Sequence, residues 1–107
     1  MKTLKFMPNL VPLVLSGEKT STWRLFDDKD LAVGDELSLI NRSTNDEFTK
    51  AIITKTEEKK LKDLTTDDFE GHERYESNDE MYKTYKSYYG DKVNENTIVK
   101  MIDFKLL

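Results

Sequence analysis

None of the 107 residues is cysteine, which excludes disulfides, thiolate metal sites and cysteine nucleophiles. The same absence points weakly to a cytoplasmic setting. Histidine is nearly missing as well: His72 stands alone beside Glu73, and a lone histidine makes no triad. No stretch approaches the roughly 18–20 apolar residues of a membrane span, and the opening Met1-Lys2-Thr3-Leu4-Lys5-Phe6 carries no long apolar signal segment. The expectation is a soluble intracellular protein with no membrane partner and no evident obligate protein partner. A surplus of positive charge is also lacking. The net charge of −4 argues against a broad, nonspecific grip on nucleic acid, which depends on phosphate neutralisation, although a local basic cleft stays compatible with it. No internal repeat, low-complexity tract or linker divides the chain, so residues 1–107 are expected to form one domain with one core.

What is present is a balance of charge and apolar content, and one dense motif. Charged residues make up 36% and hydrophobic residues another 36%, enough to fold while leaving a wet surface. The charge is uneven: seven carboxylates and only Arg74 lie between Asp67 and Glu80, whereas Lys55, Lys59, Lys60 and Lys62 make the preceding stretch basic. Both runs read most simply as solvated surface. The dense motif is Gly17-Glu18-Lys19-Thr20-Ser21-Thr22-Trp23-Arg24. It gathers an amine that can lose a proton, hydroxyls that can attack or position water, and a guanidinium that can fork onto oxygens, a set suited to a small polar ligand. The same run is also what a threonine-rich strand looks like.

Local signals place these residues on elements. Asn9 reads as a helix start with Pro12 in the first turn, and Gly17 as its left-handed stop, after which β-branched residues through Leu25 predict a strand. Phe26 to Lys29 reads as a loop and Val33-Gly34-Asp35 as a turn into a strand over Glu36 to Asn41. Ser43-Thr44-Asn45-Asp46 reads as a hairpin connection, with a return strand over Phe48 to Thr54. The acidic segment from Thr65 predicts a short helix or irregular turn interrupted at Gly71. Ser77-x-x-Glu80 resembles a capping box opening a better helix that ends near Gly90. Along it Met81, Tyr82, Tyr85, Tyr88 and Tyr89 recur near helical spacing, and their expected role is packing rather than base stacking. The closing run sets Ile98, Ile102, Phe104 and Leu106 on one side against Val99 and Met101 on the other, predicting a central strand covered on both faces.

Lys19 and Thr22 lie three apart, which in a regular strand would send them to opposite faces. Sharing a site therefore requires Lys19 to belong to the turn after Gly17, or a bulge near Thr20. Asp27 and Asp28 lack a convincing third ligand, so no metal is expected, and no cofactor. Trp23 should point away from Thr22 into the core.

Gly17-x-Lys19-x-x-Thr22-x-Arg24 resembles the signature of the ASCH domain family, a branch of the PUA-like barrels. Val33-Gly34-Asp35, Phe69-Glu70-Gly71 and Ile102-Asp103-Phe104 follow in the order that family shows. Threonine at position 22, where many ASCH proteins carry glutamate, is similar to the bacterial N(4)-acetylcytidine amidohydrolases. The resemblance implies an α+β fold: a PUA-like small mixed β-barrel flanked by two or three helices. It implies hydrolysis of N(4)-acetylcytidine or a related acylated cytidine. Lys19 would be the general base, Thr22 the nucleophile or the group that orients water, and Glu73 the proton-exchanging carboxylate, with Glu70 as second choice. Ser21, Arg24, Glu70 and His72 would contact the substrate, a small-molecule nucleoside or RNA. The alternative is a noncatalytic RNA- or nucleotide-binding module, in which Lys19 and Arg24 hold phosphate and an aromatic stacks a base; RNA cleavage by the same pocket is a third option.

Overall fold

Alternating apolar residues build the first strand, β1 (Lys2–Phe6), whose Leu4 and Phe6 are buried while Thr3 and Lys5 are exposed. The computed structural model describes residues 1–27, 29–69 and 75–107. After β1, a 3-10 turn (Pro8–Leu10) leads into helix α1 (Val11–Ser16), with Pro12 in the first turn, where a missing N–H leaves no bond unmade. Asn9 thus lies in the 3-10 turn, and the α-helix itself starts two residues later than its sequence predicts. β2 (Ser21–Leu25), β3 (Glu36–Asn41), β4 (Glu47–Lys60), helix α2 (Asn78–Tyr89) and β5 (Ile98–Leu106) complete the regular structure, with short 3-10 turns at Leu61–Asp63 and Thr66–Phe69.

The strands form one mixed sheet in the order β1-β3-β4-β5-β2. β1 runs parallel to β3 and every other pair is antiparallel. The sheet curls into a half-barrel, so the α+β, PUA-like class expected above is the one observed. β4 departs from expectation in length: it runs 14 residues rather than stopping at Thr54, so Lys55, Lys59 and Lys60 sit on a strand paired with β5. A register irregularity between Ile53 and Lys55 lets the strand bend there. Lys59 turns toward Asp68, 3.0 Å away, and the pair ties β4 to the second 3-10 turn.

Apolar side chains collect on both faces of the sheet. Leu4, Phe6, Leu37, Leu39 and Ile53 fill one side together with Ile102 and Phe104 of β5. Trp23, Leu25, Val99 and Met101 pack on the other side against Met81 and Tyr85 of α2. α2 opens as predicted, with Ser77 Oγ accepting the Glu80 amide at 3.1 Å, and ends at Gly90. The loop after β2 is pinned by Asp27, which accepts the amides of Lys29 and Leu31 and the Lys100 ammonium at 3.0–3.1 Å. Burial alone would raise the Asp27 pKa; the Lys29 amide, the Lys100 ammonium and the Leu31 amide outweigh it and hold the carboxyl below its usual value. No helix among the described residues is long and apolar enough to cross a membrane.

Candidate active site

Glycine sets the geometry. Gly17 takes φ +84°, a left-handed conformation that ends α1, and its N–H bonds Val14 O at 3.2 Å. Two residues on, the Lys19 amide bonds Leu13 O at 3.0 Å, which keeps Lys19 in the turn; β2 begins only at Ser21. The three-residue spacing to Thr22 therefore carries no strand alternation. Lys19 is 4% exposed, and its Nζ donates to Ser21 O at 2.8 Å, folding the amine back over the start of β2.

Thr22 and Arg24 share one face of β2, as their i, i+2 spacing requires. Thr22 is 2% exposed, and its Oγ1 accepts Nη1 of Arg24 at 2.7 Å. The same Nη1 donates to Trp23 O at 3.0 Å, and Nη2 reaches Lys5 O at 3.1 Å. β1 and β2 are the two outer strands of the sheet and have no ladder between them, so this guanidinium clasps the open side of the half-barrel. It also lies 5.2 Å from the centroid of the Phe6 ring, a cation–π contact.

Lys19, Thr22 and Arg24 line one cavity of about 180 Å³ at that seam. Tyr75, Tyr85, Tyr88 and Tyr89 wall one side, and Lys5 and Arg42 border it at the end of β1. The volume is below the roughly 300–1,000 Å³ of drug-sized sites, so it suits a single ring with a small substituent. Lys5, Lys19, Arg24 and Arg42 give it four cations, and no carboxylate appears among its described lining residues, in a chain whose net charge is −4.

Ser21 is not brought to this cavity. It points to the other face of β2 and borders a separate, more acidic cavity of about 420 Å³ with Asp67, Asp68 and Asp103. Trp23 packs as expected in the second apolar cluster, 5.0 Å from the Phe69 ring and stacked on Tyr85, although it also touches the cavity. Glu70, His72 and Glu73, like Asp28, lie outside the described residues. Among the described residues no group of three or more His, Asp or Glu side chains could hold a metal ion. Lys5, Arg42 and Tyr75 escaped the sequence reading. Arg42 is the first residue after β3, and its amide bonds Phe6 O at 2.8 Å, a cross-strand placement that no local signal announces.

Chemically, the site holds a buried hydroxyl that receives a charged hydrogen bond. A guanidinium donating to a hydroxyl oxygen favours negative charge developing there and leaves the hydroxyl proton free for transfer. The Lys19 amine and the aromatic walls border the same cavity as this hydroxyl.

Solved structures share the fold. The ASCH domain from Lactobacillus crispatus JV V101 superposes with a TM-score of 0.68 at 16% identity, over 89% of this chain and 68% of that one. The fold is that of an ASCH domain. ASCH from Zymomonas mobilis matches with a TM-score of 0.69 at 13% identity, over 96% of this chain and 65% of its own. The hypothetical protein PH0355 matches this ASCH fold over the whole of both chains, with a TM-score of 0.75 at 19% identity. No family model and no curated protein matches the sequence.

Proposed function

We propose that this chain is an ASCH domain of the amidohydrolase kind, deacylating N(4)-acetylcytidine or a related acylated cytidine. The observation that carries the reading is the meeting of the Lys19 amine and the Arg24-bound Thr22 hydroxyl in one tyrosine-walled cavity. In this scheme the pyrimidine ring enters between the tyrosines and the acyl carbonyl meets Thr22. Lys19 takes the proton of the attacking hydroxyl or of a water that Thr22 orients. Arg24 stabilises the negative charge as it develops, and Glu73 passes a proton to the departing exocyclic amine. Water and amide are consumed, and carboxylate and free cytidine are released. The expected ligand is a nucleoside or a nucleotide residue, in a cytoplasmic setting, with no membrane and no obligate protein partner invoked.

The test is cytidine release from N(4)-acetylcytidine, followed chromatographically for wild type and Lys19→Ala. Turnover by wild type that disappears in the variant supports the scheme, and equal inertness of both removes it. The cationic lining and the exposed Tyr88 favour a second reading, a noncatalytic RNA or nucleotide binder. RNA affinity that falls steeply with salt, without product, would select that reading.

A further inference from the structure

We propose that the ligand of this cavity carries a phosphate, and that Lys5 and Arg42 hold it at the mouth. The inference rests on the cavity being the ligand site named above; it does not require hydrolysis. The four cations divide into two kinds. Lys19 and Arg24, deeper in, are bound by protein acceptors: Ser21 O for the amine, and Thr22 Oγ1, Trp23 O and Lys5 O for the guanidinium. Lys5 Nζ and the Arg42 guanidinium have no hydrogen-bond or ion-pair acceptor among the described residues.

Lys2, Lys59 and Lys100 pair with Asp35, Asp68 and Asp27, whereas Lys60, Lys62, Lys83, Lys86 and Lys105, like Lys5 and Arg42, have no such acceptor among the described residues. What sets Lys5 and Arg42 apart from other surface cations is that both border the cavity of Lys19 and Thr22. Two cations at the rim of one cavity present positive charge from two sides, and an anion bound between them would be attracted to both. Their positions are fixed by the fold. Phe6 and Asn41 are register partners in the parallel β1/β3 pair, and the Arg42 amide bonds Phe6 O at 2.8 Å. Lys5 and Arg42 therefore flank Phe6, whose ring already carries Arg24.

A neutral nucleoside makes no use of such a mouth. A phosphate does: the planar fork of arginine matches two phosphate oxygens, and lysine adds a point charge. The cavity is too small for base, sugar and phosphate together, so a base held inside leaves its phosphate at the rim, where both cations are exposed. The substrate class of the proposed hydrolysis then becomes an N-acylated cytidine nucleotide, presented either as a monoester or within an RNA phosphodiester.

The experiment is calorimetric titration of wild type, Lys5→Ala, Arg42→Ala and Arg42→Glu with cytidine, cytidine 5′-monophosphate and a short oligocytidylate. Wild type should bind the monophosphate at least about tenfold more tightly than cytidine, the size expected of one hydrogen bond to a charged group. Each alanine variant should lose most of that preference while its cytidine affinity stays unchanged, Arg42→Glu should reverse it, and high salt should compress it. Both side chains are exposed and have no acceptor among the described residues, so melting temperatures near that of wild type verify folding. A stronger monophosphate than oligonucleotide identifies a monoester ligand, and the opposite order identifies RNA. Equal affinity of wild type for cytidine and its monophosphate overturns the proposal, as does a preference that survives both alanine changes or binding of neither compound. Because none of the probes carries an acyl group, an inactive protein leaves this result intact. Hydrolysis that is indifferent to the 5′-phosphate removes the phosphate subsite alone.

Discussion

Replacing Arg24 by alanine should open the seam of the half-barrel, and the cost can be worked from its contacts. Lys5 is exposed, so water can take over the bond lost at its carbonyl. Thr22 Oγ1 is different, because it is 2% exposed and would lose a 2.7 Å charged donor. An oxygen left without its donor in so dry a place costs about 1–3 kcal/mol. Loss of the cation over Phe6 adds about 0.5–1 kcal/mol. The sum is about 1.5–4 kcal/mol, and at about 4 °C per kcal/mol for a domain of this size the melting temperature should fall by about 6–16 °C. Urea denaturation and calorimetry measure both quantities. A double-mutant cycle isolates the cause: Thr22→Val deletes the orphaned oxygen, so Arg24→Ala with Thr22→Val should be less destabilised than the sum of the singles by about 1 kcal/mol or more. Strict additivity, or a drop in melting temperature below about 3 °C, would refute the clasp.

Gly17→Ala meets no neighbour within 4 Å, so its cost is that of the φ +84° backbone alone, about 1–2 kcal/mol by chemical denaturation, with turnover lowered further because Lys19 hangs on that turn. Asp27 contributes a pH-dependent share of stability. Its folded pKa lies below the ordinary 3.8, so that share is complete above that value and is lost as pH falls through the lowered one; Asp27→Asn should flatten the acid limb of a stability-versus-pH curve and leave its alkaline side unchanged. Ser77→Ala removes the acceptor of the Glu80 amide and should cost about 1 kcal/mol, measured by urea denaturation, and a value near zero would mean that the cap is dispensable.

Where a local rule governs, the sequence was legible. Gly17 at the end of an apolar segment, the Ser77 capping box and the alternating apolar residues of β5 each act within a few positions, and the structure follows them except at Ile98, which opens β5 exposed. The far half of β4 was not legible, since Lys55 to Lys60 alternate charges rather than apolar side chains. That segment is a strand because β5 pairs with it. The candidate site divides in the same way. The turn that frees Lys19 from strand alternation was foreseeable from Gly17, whereas Arg42, Lys5 and Tyr75 reach the cavity through contacts between distant segments. Ser21 shares the motif but faces the opposite side, because alternation holds once β2 begins.

β5 works as a party wall. Val99 and Met101 belong to one apolar cluster and Ile102 and Phe104 to the other, so neighbouring positions on a single strand serve opposite chambers. Adding or deleting one residue there would exchange the occupants of both chambers at once, and neither could be repaired while the other stayed intact. The two halves of the interior are thus bound to melt together, and a slot between Thr22 on one side and the tyrosines on the other exists only while both stand.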